Sequence, residues 1–406
     1  MLRILGGVLF VVVMTLATLP CSAQVEQTLV LTGGTVYVSP DAAPLKDAVV
    51  VVSGGTITAI GSRSEVQVPQ NARIIDCAGK SLTAGFWNSH VHFTEPAWRG
   101  AANSPADALT RHMQDMLTKW GFTTVWDLGS DPADLLPLRR RIDVGEVLGP
   151  QIFFAGSIFP KGGHPVYLPA EMRLPEVATA TEAADMARRY LSLSLDGIKL
   201  FTGSYMGDRP VVNMDASIAQ AAVEVSHAQG KPVFAHPQNK TGVDVVIAAN
   251  VDVLAHTVPG ERDYTPEQLA QFKSKGIALI PTLSLFTTVV PNQSTADYLV
   301  QSGISQLKSF ADAGGIVLFG TDVGFTKLYD TSLEFEFMGR ALPMSKVLAS
   351  LTTNPSAYFK APKKGRLAQG LDADIVVLDG DPATDVRNLG KVAYTIRAGK
   401  IIYQKP

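Results

Sequence analysis

The chain has 406 residues, of which 46% are hydrophobic and 18% are charged, and its formal net charge is −2. This length and composition allow a large buried core, suggest two or three domains and exclude a disordered chain. The balanced charge provides no basic face for nucleic acid and implies no electrostatically driven partner, so partners have to be inferred from a site.

The first 23 residues have the pattern of an export signal. Arg3 provides a positive start, residues 4–19 form an apolar segment, and Cys21-Ser22-Ala23 has the small residues of a cleavage site. A retained membrane anchor is the alternative, but the apolar run is short for a full span. We therefore predict an exported protein, periplasmic or extracellular, with no stable membrane span after cleavage. Lipidation of Cys21 stays open, and cleavage would leave Cys77 without a partner for an intramolecular disulfide.

Both ends of the remaining chain are rich in short β-type segments separated by turns. In residues 24–83 the glycine pairs at 33–34 and 54–55 are typical of hairpin corners. Residues 360–406 have the same character, and neither end has enough strands to be stable alone. We therefore predict one small β-sandwich domain formed by both termini and interrupted by residues 84–359.

The interrupting segment alternates apolar strand-like runs with helices. Three helix starts are indicated by a capping residue before proline, at Ser104-Pro105, Asp131-Pro132 and Thr265-Pro266. Eight strand–helix units predict an α/β fold, the (β/α)8 or TIM barrel. An open doubly wound sheet is the alternative, but no Gly-x-Gly-x-x-Gly loop follows the first strand. The predicted strands are 85–92, 123–128, 151–159, 197–201, 232–236, 253–256, 278–283 and 316–322.

Polar side chains end several of these strands, which is where such barrels place their active sites. His90 and His92 end the first strand and, two residues apart, face the same side. That spacing suits a metal site but also arises by chance. Later strands end in His236, His256 and Asp322, so four of the seven histidines in the chain end strands.

Lys199 lies inside an apolar strand, in the sequence Asp196-Gly-Ile-Lys-Leu. A buried lysine is costly unless its charge is removed or paired. Carboxylation by carbon dioxide would convert it into a carboxylate-like bridging ligand, which would explain why a lysine, and not a glutamate, stands at this position.

Five segments of the chain resemble the amidohydrolase superfamily, especially its imidazolonepropionase-like and metal-dependent prolidase-like branch. They are Ala84-Gly-Phe-Trp-Asn-Ser-His-Val-His92, Gly197-Ile-Lys199, Gly320-Thr-Asp322, Thr352-Thr-Asn-Pro-Ser-Ala357 and Ala373-Asp-Ile-Val-Val-Leu378. Two positions depart from the usual pattern, since Ala84 replaces a proline and Asn88 replaces an acidic residue. Neither position is a ligand.

The resemblance implies two divalent metal ions, with zinc best suited to the ligands, and N6-carboxylation of Lys199. The ligands of the buried metal would be His90, His92, Lys199 and Asp322, and those of the more exposed metal would be Lys199, His236 and His256. Such a pair activates a shared water and polarises a carbonyl. Asp322 is the expected proton shuttle between that water and the leaving nitrogen.

The implied reaction is hydrolysis of an amide, peptide or cyclic amide bond in a small molecule, with a dipeptide or N-acyl amino acid as the favoured substrate. A lactonase or phosphotriesterase is compatible with the same residues. The alternative outside the enzymes is a non-catalytic exported binding protein. It is disfavoured because a suitable residue occupies every metal-ligand position that the resemblance implies. The sequence leaves the oligomeric state open and is compatible with a homo-oligomer.

Residues in the loops after the strands are candidates for contact with the substrate. His164, which follows the third strand, is expected to be catalytic as a donor to the substrate carbonyl or oxyanion. Tyr205 and Arg209 follow the fourth strand and are expected to bind substrate, with Arg209 suited to a carboxylate. His112 and His227 fall in predicted helices and are expected to be surface or packing residues.

Overall fold

The computed structural model describes residues 27–168 and 174–406. The predicted export leader, including Arg3 and Cys21, lies outside the described residues. Within them, no helix combines the length and the apolar character that a membrane crossing requires. Two main sheets organise the described chain, one from the middle of the sequence and one from both ends.

The elements are numbered here in chain order. The strands are β1 (Leu29–Val36), β2 (Leu45–Ser53), β3 (Thr56–Ser62), β4 (Arg73–Asp76), β5 (Ser81–Ala84), β6 (Phe86–Val91), β7 (Phe122–Asp127), β8 (Gln151–Pro160), β9 (Glu176–Val177), β10 (Gly197–Phe201), β11 (Gly203–Ser204), β12 (Val212–Asn213), β13 (Val233–His236), β14 (Val253–Leu254), β15 (Ala278–Leu279), β16 (Ile316–Val317), β17 (Ile375–Leu378), β18 (Val392–Arg397) and β19 (Lys400–Gln404). The helices are α1 (Ala106–Met116), α2 (Pro132–Asp143), α3 (Ala180–Ser192), α4 (Ala216–His227), α5 (Lys240–Ala248), α6 (Pro266–Lys275), α7 (Gln293–Asp312), α8 (Ser332–Ala341), α9 (Met344–Leu351) and α10 (Thr353–Tyr358).

Eight parallel strands of the central sheet follow one another in chain order, β6-β7-β8-β10-β13-β14-β15-β16. Each begins within one residue of its predicted start. Backbone bonds then join the segment after β16 to β6, because Ser89 N–H donates to the Phe319 carbonyl at 2.7 Å and His92 N–H donates to the Val323 carbonyl at 2.8 Å. The predicted (β/α)8 barrel is therefore confirmed.

The last three barrel strands are shorter than predicted. β14, β15 and β16 contain two residues each, whereas their predicted counterparts have four to seven. After β15 the chain reaches Pro281, which has no N–H to donate, and Thr282 and Asp322 then have φ values of 46° and 60° in the turns that follow β15 and β16. Residues predicted to be strand ends therefore lie in the turns at the barrel mouth.

Aromatic side chains fill the barrel near the strand starts. Trp126 stacks on Phe153 with ring centroids 5.0 Å apart, and Trp87 stacks on Phe153 at 5.9 Å. Phe359, just after α10, contacts both tryptophans at 4.9 and 6.0 Å. This end of the barrel is packed shut, so polar side chains at the opposite end face the accessible mouth.

Two of the three predicted helix starts are confirmed. Asp131 caps α2, and Thr265 caps α6 in a capping box, each followed by proline at the first helical position. The start of α1 is one residue later than predicted, at Ala106. There the Ser104 hydroxyl donates to the Gly100 carbonyl at 3.1 Å instead of capping the helix.

The sheet at the termini runs in the order β19-β18-β17-β5-β1-β2-β3, and β4 pairs with β1. The two ends of the chain meet where β5 pairs antiparallel with β17, with Ala84 opposite Ile375. One face of this sheet buries an apolar cluster that includes Leu31, Val50 and Cys77. The prediction that the two termini build one β unit is therefore confirmed.

Gly85 lies at the passage from β5 into the barrel. Its N–H donates to the Asp374 carbonyl at 2.8 Å. A Cβ at this position would lie 2.2 Å from Thr123 Oγ1 and 2.9 Å from the Asp374 side chain. Only glycine therefore allows the terminal sheet and the barrel to approach this closely.

Burial determines the reactivity of Cys77. The side chain is fully buried, and burial raises the pKa of the thiol to about 12. We expect a maleimide to label Cys77 only after unfolding in urea, in protein whose Cys21 is replaced by serine, as measured by mass spectrometry. Ser64→Cys, at an exposed position of the same domain, provides the matched positive control. Equal labelling rates at the two positions in the folded protein would contradict the buried placement.

Candidate metal centre

His90, His92 and Asp322 form a compact group at the barrel mouth. Asp322 Oδ1 lies 3.2 Å from His90 Nε2 and 2.9 Å from His92 Nε2. One potential ligand atom from each of the three residues lies within 4.8 Å of the others. Val91, between the two histidines, is buried in the core outside the barrel. The alternating directions predicted for this strand are therefore observed.

Backbone bonds to β6 determine the position of Asp322. Its N–H donates to the His90 carbonyl at 2.9 Å, and its φ of 60° is in the left-handed region. A non-glycine residue in this region is strained by about 1–3 kcal/mol and persists only where its surroundings enforce it. The strain accompanies a turn that points the carboxylate back at the two histidines.

His236 and His256 extend the group across the mouth. The centroid of the His256 ring lies 4.6 Å from that of His90 and 4.8 Å from that of His236. His256 Nε2 lies 3.9 Å from Asp322 Oδ2. The four histidines predicted at strand ends therefore form one continuous set of rings around Asp322.

Lys199 lies on β10, next to β13 and 1% exposed. Its Nζ lies 5.7 Å from the centroid of the Phe201 ring, which in turn stacks on His236 at 4.8 Å. Burial lowers the pKa of Lys199 to about 7, against the opposing effect of Asp322 and Asp127. A substantial fraction of this lysine is therefore a neutral amine near neutral pH.

Three of the histidines at the centre, His90, His236 and His256, are uncharged at neutral pH. Burial lowers the pKa of His90 and His236 to about 3 and holds that of His256 well below its usual value. Burial also acts to raise the pKa of Asp322, but interaction with His90 and His92 outweighs it and holds that pKa well below the usual carboxyl value. Neutral imidazoles beside a carboxylate are the protonation states that metal ligands require.

The donor set fits a divalent cation. Asp322 Oδ1 and His90 Nδ1 are buried and have no hydrogen-bond partner among the described residues. Buried polar atoms in folded proteins are almost always satisfied, so an orphaned carboxylate oxygen beside the Nε2 atoms of His90 and His92 indicates a missing positive partner. Imidazole nitrogens with a carboxylate are ligands that zinc and related transition metals prefer.

His164 and Arg209 line one cleft of about 390 Å³ in the loops after β8 and β10, together with Gly162, Pro165, Val166, Leu168, Glu176 and Met206. His164 Nε2 donates to the Leu168 carbonyl at 3.1 Å, and its Nδ1 is buried without a partner among the described residues. The predicted role of His164 as a donor to substrate therefore requires this local bond to break. Tyr205 lies next to the cleft and is 43% exposed.

The other two histidines are bound to carboxylates. His227, on the surface of α4, lies 2.8 Å from Asp252. His112, on α1, lies 2.7 Å from Glu95, which also accepts a hydrogen bond from the Tyr329 hydroxyl. This half-buried trio joins the loop after β6 to the loop after β16.

Several residues at the centre were not found from the sequence. Asp127 ends β7 and, fully buried, accepts backbone bonds from Phe93 and Ser130 at 3.1 and 2.8 Å. A polar residue at a strand end was the signal that identified His236, and it applies equally to Asp127. Thr282 and Tyr167 give no such signal, because only the folded loops bring them to His256 and to the strand-eight loop.

The family model for the amidohydrolase family matches residues 81–402. The chain belongs to the amidohydrolase family. Members of this family typically use metal ions. Like its named relatives, this protein is an amidohydrolase that acts on carbon–nitrogen bonds.

Similar proteins cover most of the chain at low identity. Ochratoxinase from Aspergillus niger is 24% identical, over 86% of this chain and 80% of its own. Allantoinase from Deinococcus radiodurans is 25% identical, over 85% of each chain. A prolidase solved in complex with N-methylphosphonate-L-proline superposes with a TM-score of 0.78 and 25% identity, and the match covers 93% of this chain and 100% of that one.

Asn88 connects β6, which carries His90, to the turn that carries Asp322. This fully buried amide donates to Thr321 Oγ1 at 2.8 Å and accepts from the N–H groups of His90 and Thr321 at 3.2 and 3.3 Å. We expect Asn88→Ala to destabilise the fold by about 2 kcal/mol or more, because two buried N–H groups lose their acceptor. Urea unfolding with a shared m-value measures this difference.

Asn88→Asp is the matched variant, since a carboxylate keeps both acceptor bonds and accepts from the Thr321 hydroxyl. We expect its loss of stability to be at most half that of Asn88→Ala. If the alanine variant unfolds at the wild-type urea concentration, the bridging role of Asn88 is wrong.

Proposed function

We propose that the protein is an exported hydrolase with a dinuclear metal centre and that it cleaves the amide bond of a dipeptide or an N-acyl amino acid. The observation that carries the proposal is the convergence of four histidines, Lys199 and Asp322 at the barrel mouth, with buried acceptor atoms that lack partners. Export rests on the sequence of the leader alone.

The proposed ligands follow from this arrangement. His90, His92, Asp322 and carboxylated Lys199 would hold one metal, and Lys199, His236 and His256 would hold the other, with zinc suited to both. When bound, the metals lower the pKa of the attacking water and polarise the scissile carbonyl. Carboxylation would join the neutral Lys199 amine to carbon dioxide, with release of one proton, and would give an anion able to contact both sites.

Asp322 is the proposed proton shuttle. It is an anion at neutral pH, and its Oδ2 lies 3.9 Å from His256 Nε2. It would accept the proton of the attacking water and deliver it to the leaving nitrogen as the carbon–nitrogen bond breaks. The products are a carboxylate and an amine, and Asp322 returns to its starting state.

The cleft lined by His164 and Arg209 supports a substrate that carries a carboxylate. The exposed guanidinium of Arg209 is suited to bind a carboxylate with two hydrogen bonds, while Val166, Leu168 and Met206 provide apolar lining. Glu176 is already engaged, since it accepts the Gly162 N–H at 2.7 Å. The prolidase and ochratoxinase names of similar proteins agree with amide substrates of amino acids.

A substrate panel tests the proposal directly. We expect the zinc-loaded protein to hydrolyse members of a library of dipeptides and N-acyl amino acids, and to lose this activity when the substrate carboxylate is amidated. Dialysis against a chelator should abolish turnover, and zinc should restore it. Turnover of lactones or phosphotriesters without any turnover of amides would replace the proposed reaction with that of an esterase-type enzyme on the same site.

Asp322→Asn tests the shuttle. We expect turnover to fall about 10²- to 10⁴-fold, because the amide cannot accept the proton, while a substantial part of the bound metal is retained. Asp330→Asn is the matched control, since the Asp330 carboxylate lies in the same loop, is exposed and accepts only the Ser332 N–H at 2.8 Å. Steady-state kinetics and metal analysis measure both effects. A fully active Asp322→Asn variant would exclude this role.

A further inference from the structure

Glu334, on α8, is a fully buried carboxylate that takes no part in the proposed reaction. Its Oε1 accepts the Leu283 N–H at 2.9 Å, and its Oε2 accepts the Ser284 N–H at 2.7 Å. These two amides begin the short 3₁₀ turn that follows β15. The carboxylate of α8 therefore binds the start of the loop after the seventh barrel strand.

Hydrogen bonds from Leu283 and Ser284 offset the free-energy cost of burying the Glu334 carboxylate. Burial raises the pKa of Glu334 to about 7, and the groups that act in the opposite direction all belong to Leu283 and Ser284. Among the described residues no lysine, arginine or histidine forms an ion pair with it. A side chain of this kind is expensive to bury, which indicates a specific task for its two acceptor atoms.

Thr282, immediately before these amides, has an unusual backbone. Its φ of 46° and ψ of 50° place a β-branched residue in the left-handed region, where such residues are rarely found. Its hydroxyl donates to the Pro281 carbonyl at 2.9 Å. With its single hydrogen directed at the Pro281 carbonyl, Thr282 Oγ1 accepts from His256 Nδ1, which lies 2.6 Å away.

This bond determines the tautomer of His256. With Nδ1 protonated, the lone pair of the neutral ring is on Nε2, and Nε2 is the atom that faces Asp322 Oδ2 at 3.9 Å. Hydrogen bonds of this type to the second nitrogen orient metal-binding imidazoles and select their tautomer. Thr282 can accept this hydrogen bond from His256 Nδ1 only while its backbone keeps the strained conformation.

We infer that Glu334 is a positioning residue, which fixes the two amides after Thr282, keeps the Thr282 hydroxyl against His256, and so directs His256 Nε2 into the metal centre. The inference rests on the proposed metal centre for the use of His256. The apolar side chains of Leu283 and Phe286 bury the same turn. These two side chains hold the turn against the core, whereas the two hydrogen bonds to Glu334 orient the peptide planes next to Thr282.

Four variants of the full-length protein test this chain of contacts. E334Q keeps the shape of the side chain but provides a single acceptor oxygen for two N–H groups. T282V removes the acceptor of His256 and keeps the branched shape, while T282S keeps the hydroxyl. E336Q, two residues further along α8 on a partly exposed side chain, is the matched control.

The first measurement is the tautomer of His256 in metal-free protein, by NMR with ¹⁵N-labelled histidine. We expect one Nδ1-protonated state in the wild type, T282S and E336Q, and a mixture of tautomers in E334Q and T282V. If E334Q does not fold, E334D serves instead, because its shorter carboxylate cannot reach both amides. A single, unchanged tautomer in folded E334Q or E334D overturns the inference.

The second measurement is the affinity for zinc, by competition with a chromophoric chelator. We expect a loss of about 10- to 100-fold in E334Q and in T282V. The double variant should be no weaker than the weaker single variant, because both act through one bond. Losses that multiply in the double variant, or an E334Q with lowered thermal stability and wild-type affinity, overturn the inference. Absence of zinc binding in the wild type would refute the proposed centre, while the tautomer measurement would still decide the role of Glu334.

Discussion

The backbone bond from the Asp322 N–H to the His90 carbonyl lies at the seam where the barrel closes. The same bond closes the sheet and sets the distance between a carboxylate and two histidines on the opposite side of the seam. Asn88 and Thr321 reinforce it from inside. Closure of the fold and assembly of the centre are therefore one structural event, and a disturbance of the seam affects stability and chemistry together.

The centre combines deep burial with side chains that are neutral or paired. The aromatic packing of Trp87, Trp126 and Phe153 excludes water from the far end of the barrel. Burial in such surroundings disfavours the charged form of a side chain, so the pKa values of His90 and Lys199 are lowered and their neutral forms are favoured. The environment that destabilises isolated charge is also the one in which electrostatic stabilisation of a reaction is strongest.

The sequence predicted the barrel and its polar strand ends because each has a local signature, namely an apolar run followed by a histidine or aspartate. Other features have no local signature. Thr282 and Asp322 have positive φ in the turns that follow β15 and β16, and a threonine gives no warning of that conformation. Glu334 is separated by 52 residues from Thr282 along the chain, and only the packing of α8 brings its carboxylate to that loop. His164 was found from its place after the third strand, but its bond to Leu168 depends on the exact path of the loop.

The pairing of β5 with β17 has a consequence for the order of events in biosynthesis. The first half of the terminal sheet leaves the ribosome with the edge of β5 unpaired, and its partner follows only after almost three hundred further residues. Until then the nascent protein exposes a strand edge, the kind of surface that recruits other chains. Completion of the sheet by β17, β18 and β19 therefore requires that the intervening barrel brings the edges of β5 and β17 together in register.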